Sequence, residues 1–146
     1  MITKSMSIDG RKILLTVWDT AGSERFQGVS TKYIRNAQAC ILMYDITSKE
    51  SFDSVAKWVA DIEQKGRDNI VVILVGNKKD MESRREVAKE TGQAMAKTHG
   101  YKFFETSALQ NELVTETFEV LIKELCKVEF DQCLYKEHEE KQNSCC

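Results

Sequence analysis

The 146-residue chain has no proline, only seven glycines and only two histidines. With so few chain breakers it has no composition for a long linker, and one domain accounts for its length, since single cores run to about 100–150 residues. Neither charge is in surplus: 21 basic residues stand against 23 acidic ones, for a formal net charge of -2. That balance argues against nucleic acid as a partner, because no basic excess exists to neutralise a polyanion. Long apolar runs are missing too. Uncharged stretches such as residues 36–44 reach about nine residues, where a membrane-spanning helix needs about 20. The opening MITKSMSIDGRK has no apolar segment leading to a small-residue cleavage site, so no secretory signal is expected. The five cysteines are then expected as thiols in a reducing compartment, and their spacing fits no zinc pattern. The two histidines, His99 and His138, have no evident partner in sequence. What is present, 42% hydrophobic and 30% charged residues, excludes a disordered, collagenous or disulfide-stapled chain.

Apolar residues follow two alternating periods. Ser5 to Asp9 and Lys12 to Trp18 read as strands joined by Asp9-Gly10, a tight-turn dipeptide. Ala39 to Ile46 and Ile70 to Val75 are nearly unbroken apolar runs, the pattern of parallel strands covered on both faces, and Tyr101 to Phe104 reads likewise. Between them, Phe52, Val55, Val59 and Ile62 repeat at helical spacing behind a Thr47/Glu50 capping box. Val87, Thr91, Ala94 and Met95 mark a weaker helix, and Leu113, Val114, Phe118, Leu121, Ile122 and Leu125 a strong one. Phe52, Trp58 and that last stripe are expected in the core. Strands alternating with helices predict a three-layer α/β domain over 1–128. The charged stretch 129–146 reads as a flexible tail.

In an open parallel sheet, ligands bind at the carboxyl ends of the strands. Three loops leave that edge. Asp19-Thr20-Ala21-Gly22 follows the strand ending at Trp18. A carboxylate directly after a strand can orient hydrated magnesium, and a glycine amide can approach a terminal phosphate. Asn77-Lys78-Lys79-Asp80 follows the buried run IVVILVG. The Asp80 carboxylate can accept two parallel hydrogen bonds from the ring N–H and exocyclic amine of guanine, an edge on which adenine presents the opposite pattern. The Asn77 amide can bond the other edge of the base or brace the loop, and the Lys78 stem can lie along the base plane. Glu105-Thr106-Ser107-Ala108-Leu109 follows the last strand, with small residues that let backbone amides reach a base carbonyl.

Taken together, the three loops resemble the Ras-like small GTPases, and within them the Rab branch. WDTAGSERF is similar to the second switch of that family, GNKKD to its guanine-specificity loop and ETSAL to its base-supporting loop. YIRNA, ILMYDIT, SFDSVAKW and the terminal Cys145-Cys146 are further Rab-like words, so the resemblance spans the whole chain. It implies a P-loop-NTPase-like fold, GTP or GDP and Mg2+ as ligands, and a guanine-nucleotide switch in vesicle trafficking. Nucleotide contacts would fall to Asp19, Thr20, Ala21, Gly22, Asn77, Lys78, Asp80, Ser107, Ala108 and Leu109, with Asp19 addressing the metal and Gly22 the γ-phosphate. Trp18 and Tyr33 match effector-facing aromatics. The implied partners are exchange factors, GTPase-activating proteins, effectors and the prenylation machinery, and the implied state is a monomer.

Two departures shape the expectation. No G-x-x-x-x-G-K-[ST] string occurs, and no glycine is followed by lysine. The resemblance therefore implies a fold lacking its first strand and helix, together with the P-loop and first switch. Four lost phosphate contacts at ~1.5–3 kcal/mol each remove about 6–12 kcal/mol, or roughly four to eight powers of ten in affinity. Ser23 stands where the family usually places the glutamine that orients the attacking water, so hydrolysis is expected to be slow. The two strands flanking the absent one are expected to close on each other or to leave open edges. The ending NSCC does not fit C-a-a-X but resembles Rab tails lipidated on both cysteines, which would place the protein on the cytosolic face of vesicle membranes. A second expectation is a truncated form that binds no nucleotide and acts only by occupying protein partners.

Overall fold

The computed structural model describes residues 1–8, 10–20 and 33–143, with side chains described through 128 except at 8 and 11. Strand β1 (Ile2–Ile8) and strand β2 (Arg11–Val17) form an antiparallel hairpin in which Ile8 pairs with Arg11 and Ile2 with Val17. The closing turn needs a left-handed backbone, and Gly10 supplies it at φ 77°. Along β2, Ile13, Leu15 and Val17 are half-buried while Lys12, Leu14 and Thr16 are exposed, the alternation of a one-faced strand.

The main sheet has the order β3-β4-β5, all parallel: β3 (Ala39–Asp45), β4 (Val71–Asn77) and β5 (Lys102–Glu105). Successive side chains of β4 point to opposite faces. Val72 and Leu74 join Leu42, Tyr44, Phe52, Val55, Val59, Ile62 and Ala96 in one cluster, and Ile73 and Val75 join Leu121 in the other. Helices α1 (Lys49–Asp53), α2 (Val55–Lys65) and α3 (Lys89–Thr98) supply the first cluster. Helix α4 (Val114–Asn143) supplies the second. The three-layer α/β expectation is met. The strands β2 and β3 do not close on each other: the hairpin and the main sheet are separate ladders.

Several local readings are corrected. Helix α1 is capped by Ser48, whose hydroxyl accepts from Ser51 N at 3.2 Å, not by Thr47. Thr47 instead donates its N–H and hydroxyl to Asp45 Oδ1 at 2.8 and 2.7 Å. The buried face of α3 is Gly92 and Ala96, while Thr91 and Ala94 are exposed. Small residues hold that face because the Tyr44 and Phe103 rings fill the space against it. Helix α4 spans Val114–Asn143, and its last stretch KEHEEKQN is rich in helix formers even where the apolar stripe fades. His99 has partners after all: its Nδ1 lies 2.9 Å from Glu63 Oε1 and its ring stacks on Tyr101. Cys40 and Cys126 are free thiols, and burial pushes the Cys40 thiol up to about 11, so it stays protonated.

The Tyr44 hydroxyl is buried without a hydrogen-bond partner among the described residues. It lies between two glycines: a Cβ built on Gly76 would sit 2.9 Å from it, and one built on Gly92 2.3 Å. Alanine normally stabilises a helix interior over glycine by about 1 kcal/mol. At Gly92 the sign should reverse, because the Cβ also meets the Phe103 ring at 2.7 Å. Gly92→Ala is expected to cost about 1–3 kcal/mol in denaturant unfolding. Tyr44→Phe, which deletes the unpaired hydroxyl, should leave the midpoint unchanged or raise it.

Candidate functional site

The parallel register sets Asp45, the last residue of β3, beside Asn77, the last of β4, with Glu105 ending β5 one step away at Gly76. Three loops thus start from one edge. The backbone ties them together: Ile46 N donates to Asn77 O at 3.0 Å, Thr106 N to Gly76 O at 2.8 Å, and Lys79 N to Thr106 O at 3.0 Å.

Side chains complete the link between the second and third loops. Asn77 Oδ1 accepts from Ala108 N at 3.1 Å and from Thr106 Oγ1 at 3.2 Å. Of the two roles open to Asn77, the one seen is bracing. The Ala108 amide, read as a donor for a base carbonyl, is here given to Asn77. Ser107, fully buried, donates its hydroxyl to Asp80 Oδ1 and accepts from Gln110 N at 3.1 Å. Asp80 Oδ2 meets no donor among the described residues. Leu109 is highly exposed at the rim. Lys79 pairs with Glu112 at 2.5 Å, a further tie between the loops.

Lys78 adopts φ 68°, ψ 36°, the left-handed region that costs an L-residue about 1–2 kcal/mol. Its Nζ lies 2.6 Å from Asp45 Oδ2. Asp45 therefore takes Lys78 on one oxygen and both Thr47 donors on the other. Burial opposes ionisation of this carboxyl, but the bonds from Lys78 and Thr47 outweigh it and hold its pKa below the ordinary 3.8.

Beneath the third loop lies an ion pair that the motif words do not reveal. The Arg85 guanidinium grips the buried Glu105 with two bonds, 2.7 and 3.0 Å, and donates to Val87 O at 2.9 Å. Its other edge holds the exposed Glu82 at 2.6 and 2.7 Å. Side-chain exposure is 17% for Arg85 and 4% for Glu105, so the pair is largely desolvated. Glu82 and then Glu105 push the guanidinium further toward its charged form.

At the far side, Asp19 and Thr20 are described and exposed just beyond β2. Trp18 stacks on Tyr33 with ring centroids 4.8 Å apart and an interplanar angle of 30°. Ala21, Gly22, Ser23, Cys145 and Cys146 lie outside the described residues. Among the described residues no three His, Cys, Asp or Glu side chains gather to hold a metal. Magnesium bound through one carboxylate, waters and phosphates needs no such cluster, so Asp19 remains compatible with that chemistry. For guanine, the braced Asp80 with an open carboxylate oxygen is a fitting acceptor. Sequence reasoning gives no role to two residues of this edge: Asp45, which lies in none of the three loops, and Glu105, which opens the third. The signal for both is a carboxylate closing an apolar strand, the same signal that drew attention to Asp19.

The Ras family sequence profile matches residues 1–127. Among curated proteins, the chain is 44% identical over 128 residues to GTP-binding protein ypt2 of Schizosaccharomyces pombe, covering 88% of this chain and 64% of that protein. It is 48% identical over 116 residues to Ras-related protein RAB1BV of Beta vulgaris, covering 79% of this chain and 54% of that protein. The chain thus spans less than two thirds of the length of either relative.

Two outcomes test this geometry. Arg85→Ala strands Glu105 as a buried, unpaired charge and should cost about 3–5 kcal/mol in equilibrium unfolding, whereas Glu82→Gln should leave the midpoint nearly unchanged. Asp45, with a lowered folded-state pKa, contributes stability that is present in full above its unfolded value and is lost as pH falls through the folded one. Asp45→Asn should therefore be less stable than the parent at pH 7. The two denaturation curves should converge as pH drops below the ordinary 3.8.

Proposed function

The chain belongs to the Ras family, within its Rab branch, and on that premise we propose that its sheet edge is the guanine-binding half of a Rab-type nucleotide switch. The observation that carries the reading is the double brace of the second and third loops: Asn77 holds Thr106 and Ala108, and Ser107 holds Asp80. A carboxylate fixed in this way reads two adjacent N–H donors, which guanine has and adenine lacks. Asp80 is the acceptor, Lys78 lays its stem along the base, and Ser107, Ala108 and Leu109 border it. Asp19, Thr20, Ala21 and Gly22 face the phosphates, with Asp19 on the hydration shell of magnesium. The bound nucleotide and metal supply the negative and positive charge that order the switch segments; the chain supplies the base pocket.

The rest of the proposal follows the family. Residues 1–128 form the GTPase-type domain, and 129–146 are the tether to lipid groups on Cys145 and Cys146. Two prenyl chains give stable attachment where one gives marginal binding, which places the protein on the cytosolic face of vesicle membranes. Trp18 and Tyr33 form part of an effector-facing surface. Exchange factors, GTPase-activating proteins and the prenylation machinery are the partners of a monomer. The chain contains no P-loop string, so its own affinity for GTP is low, and Ser23 makes hydrolysis slow. No domain-wide basic surplus supports nucleic acid as a partner.

Calorimetric titration of GDP, GTP and ADP into the purified chain tests the pocket. Weak binding that favours guanine is expected. Asp80→Asn should reduce guanine affinity by about 10–100-fold, the worth of ~1.5–3 kcal/mol for hydrogen bonds to a charged group. Equal affinity for ADP overturns the base pocket, and nanomolar GDP overturns the low-affinity proposal.

A further inference from the structure

Asp80 has a basic neighbour two residues away in Lys78, and nothing in a flexible loop would prevent that ammonium from folding onto the carboxylate that must stay open. Opposite charges within reach in a part-buried site pair readily. The observed arrangement is different. Lys78 takes a left-handed backbone, turns toward β3 and sets its Nζ 2.6 Å from Asp45 Oδ2. Asp80 is held by Ser107 instead. Asp45 is in turn fixed by the two Thr47 donors on its other oxygen and by the strand register that pairs it with Asn77.

We propose that Asp45 is a positioning and specificity-determining residue that draws the Lys78 ammonium away from Asp80, so that the Asp80 carboxylate stays open to the donors of guanine. This rests on the base pocket proposed above and extends it to a residue on a third strand. The same ion pair orders the long Lys78 side chain before any ligand arrives. Its methylenes then form a ready wall for a planar base, and binding does not have to freeze them. The strained backbone at Lys78 has a reason in this arrangement, because the left-handed turn aims the side chain across to β3 rather than along its own loop.

Asp45→Asn separates this role from the fold of the turn. The carboxamide oxygen keeps both Thr47 bonds, while its NH2 group faces the lysine in place of Oδ2. Two readouts decide. The first needs no nucleotide: acetylation of Lys78 by an N-hydroxysuccinimide ester, followed by peptide mass spectrometry of the full chain. Lys78 is 51% exposed yet ion-paired, so it should react several-fold faster in Asp45→Asn than in the parent. Equal rates overturn the proposal. The second is titration with GDP and ADP. Asp45→Asn should weaken GDP by about twofold to fivefold and lower the preference for GDP over ADP. Lys78→Met in the Asp45→Asn background, which removes the competing ammonium and keeps an apolar wall, should restore much of that preference. A variant that binds GDP like the parent overturns the role of Asp45 and leaves the pocket standing. A parent that shows no guanine preference overturns the pocket, and the role of Asp45 with it. A preference lost in Asp45→Asn and not restored by Lys78→Met also overturns the proposal, because ammonium competition is then not the cause.

Discussion

Strand β4 is buried on both faces from Val72 to Gly76, and the placement of the polar groups at the sheet edge depends on that constraint. Val72 and Leu74 are committed to one layer of helices, Ile73 and Val75 to the other. A slip of one residue would turn both pairs to the wrong layer, so the register of β4 against β3 and β5 is fixed by burial alone. Fixing it brings Asp45, Asn77 and Glu105 to one edge, where the chain turns into loops. The loops need no rigidity of their own; they inherit position from the hydrophobic core.

Burial then sorts the charges at this edge by depth. Deepest is Glu105, gripped by Arg85 with two bonds and nearly cut off from solvent. Above it, the buried Ser107 and half-buried Asn77 convert backbone amides into side-chain restraints. Outermost is the exposed Lys78, with Asp80 half-buried beside it. Ser107 in turn holds Asp80, and Asn77 holds Thr106 and Ala108.

The sequence is most informative where chemistry and burial coincide. The unbroken apolar runs mark β3 and β4 as covered on both faces, and the punctuation after β4 and β5 marks two of the loops that leave this edge; the Asp19 loop, read with them, follows a strand of the separate hairpin. It is less informative where a contact joins distant segments. Asp45 and Lys78 are far apart in the chain, and only the parallel register makes them neighbours. Arg85 sits in an anonymous charged stretch, MESRREV, where either arginine reads equally well. Gly92 and Ala96 form the inner face of α3 although periodic reasoning prefers larger residues, because the space belongs to Tyr44 and Phe103. The Ser48 cap is missed in favour of Thr47 for a related reason: Asp45 recruits the threonine first.

The hairpin's self-contained ladder divides the molecule thermodynamically. β1 and β2 pair with each other, and the main sheet forms its ladders without them. Opening the hairpin need not disturb the core, so its amides would exchange with solvent through a local event while those of β4 wait for global unfolding. Asp19 and Trp18 ride on the first unit, and Asn77 and Asp80 on the second. A ligand that touched both would do more than occupy a site: it would join two separately melting pieces into one cooperative body, and part of its binding energy would be spent on that union.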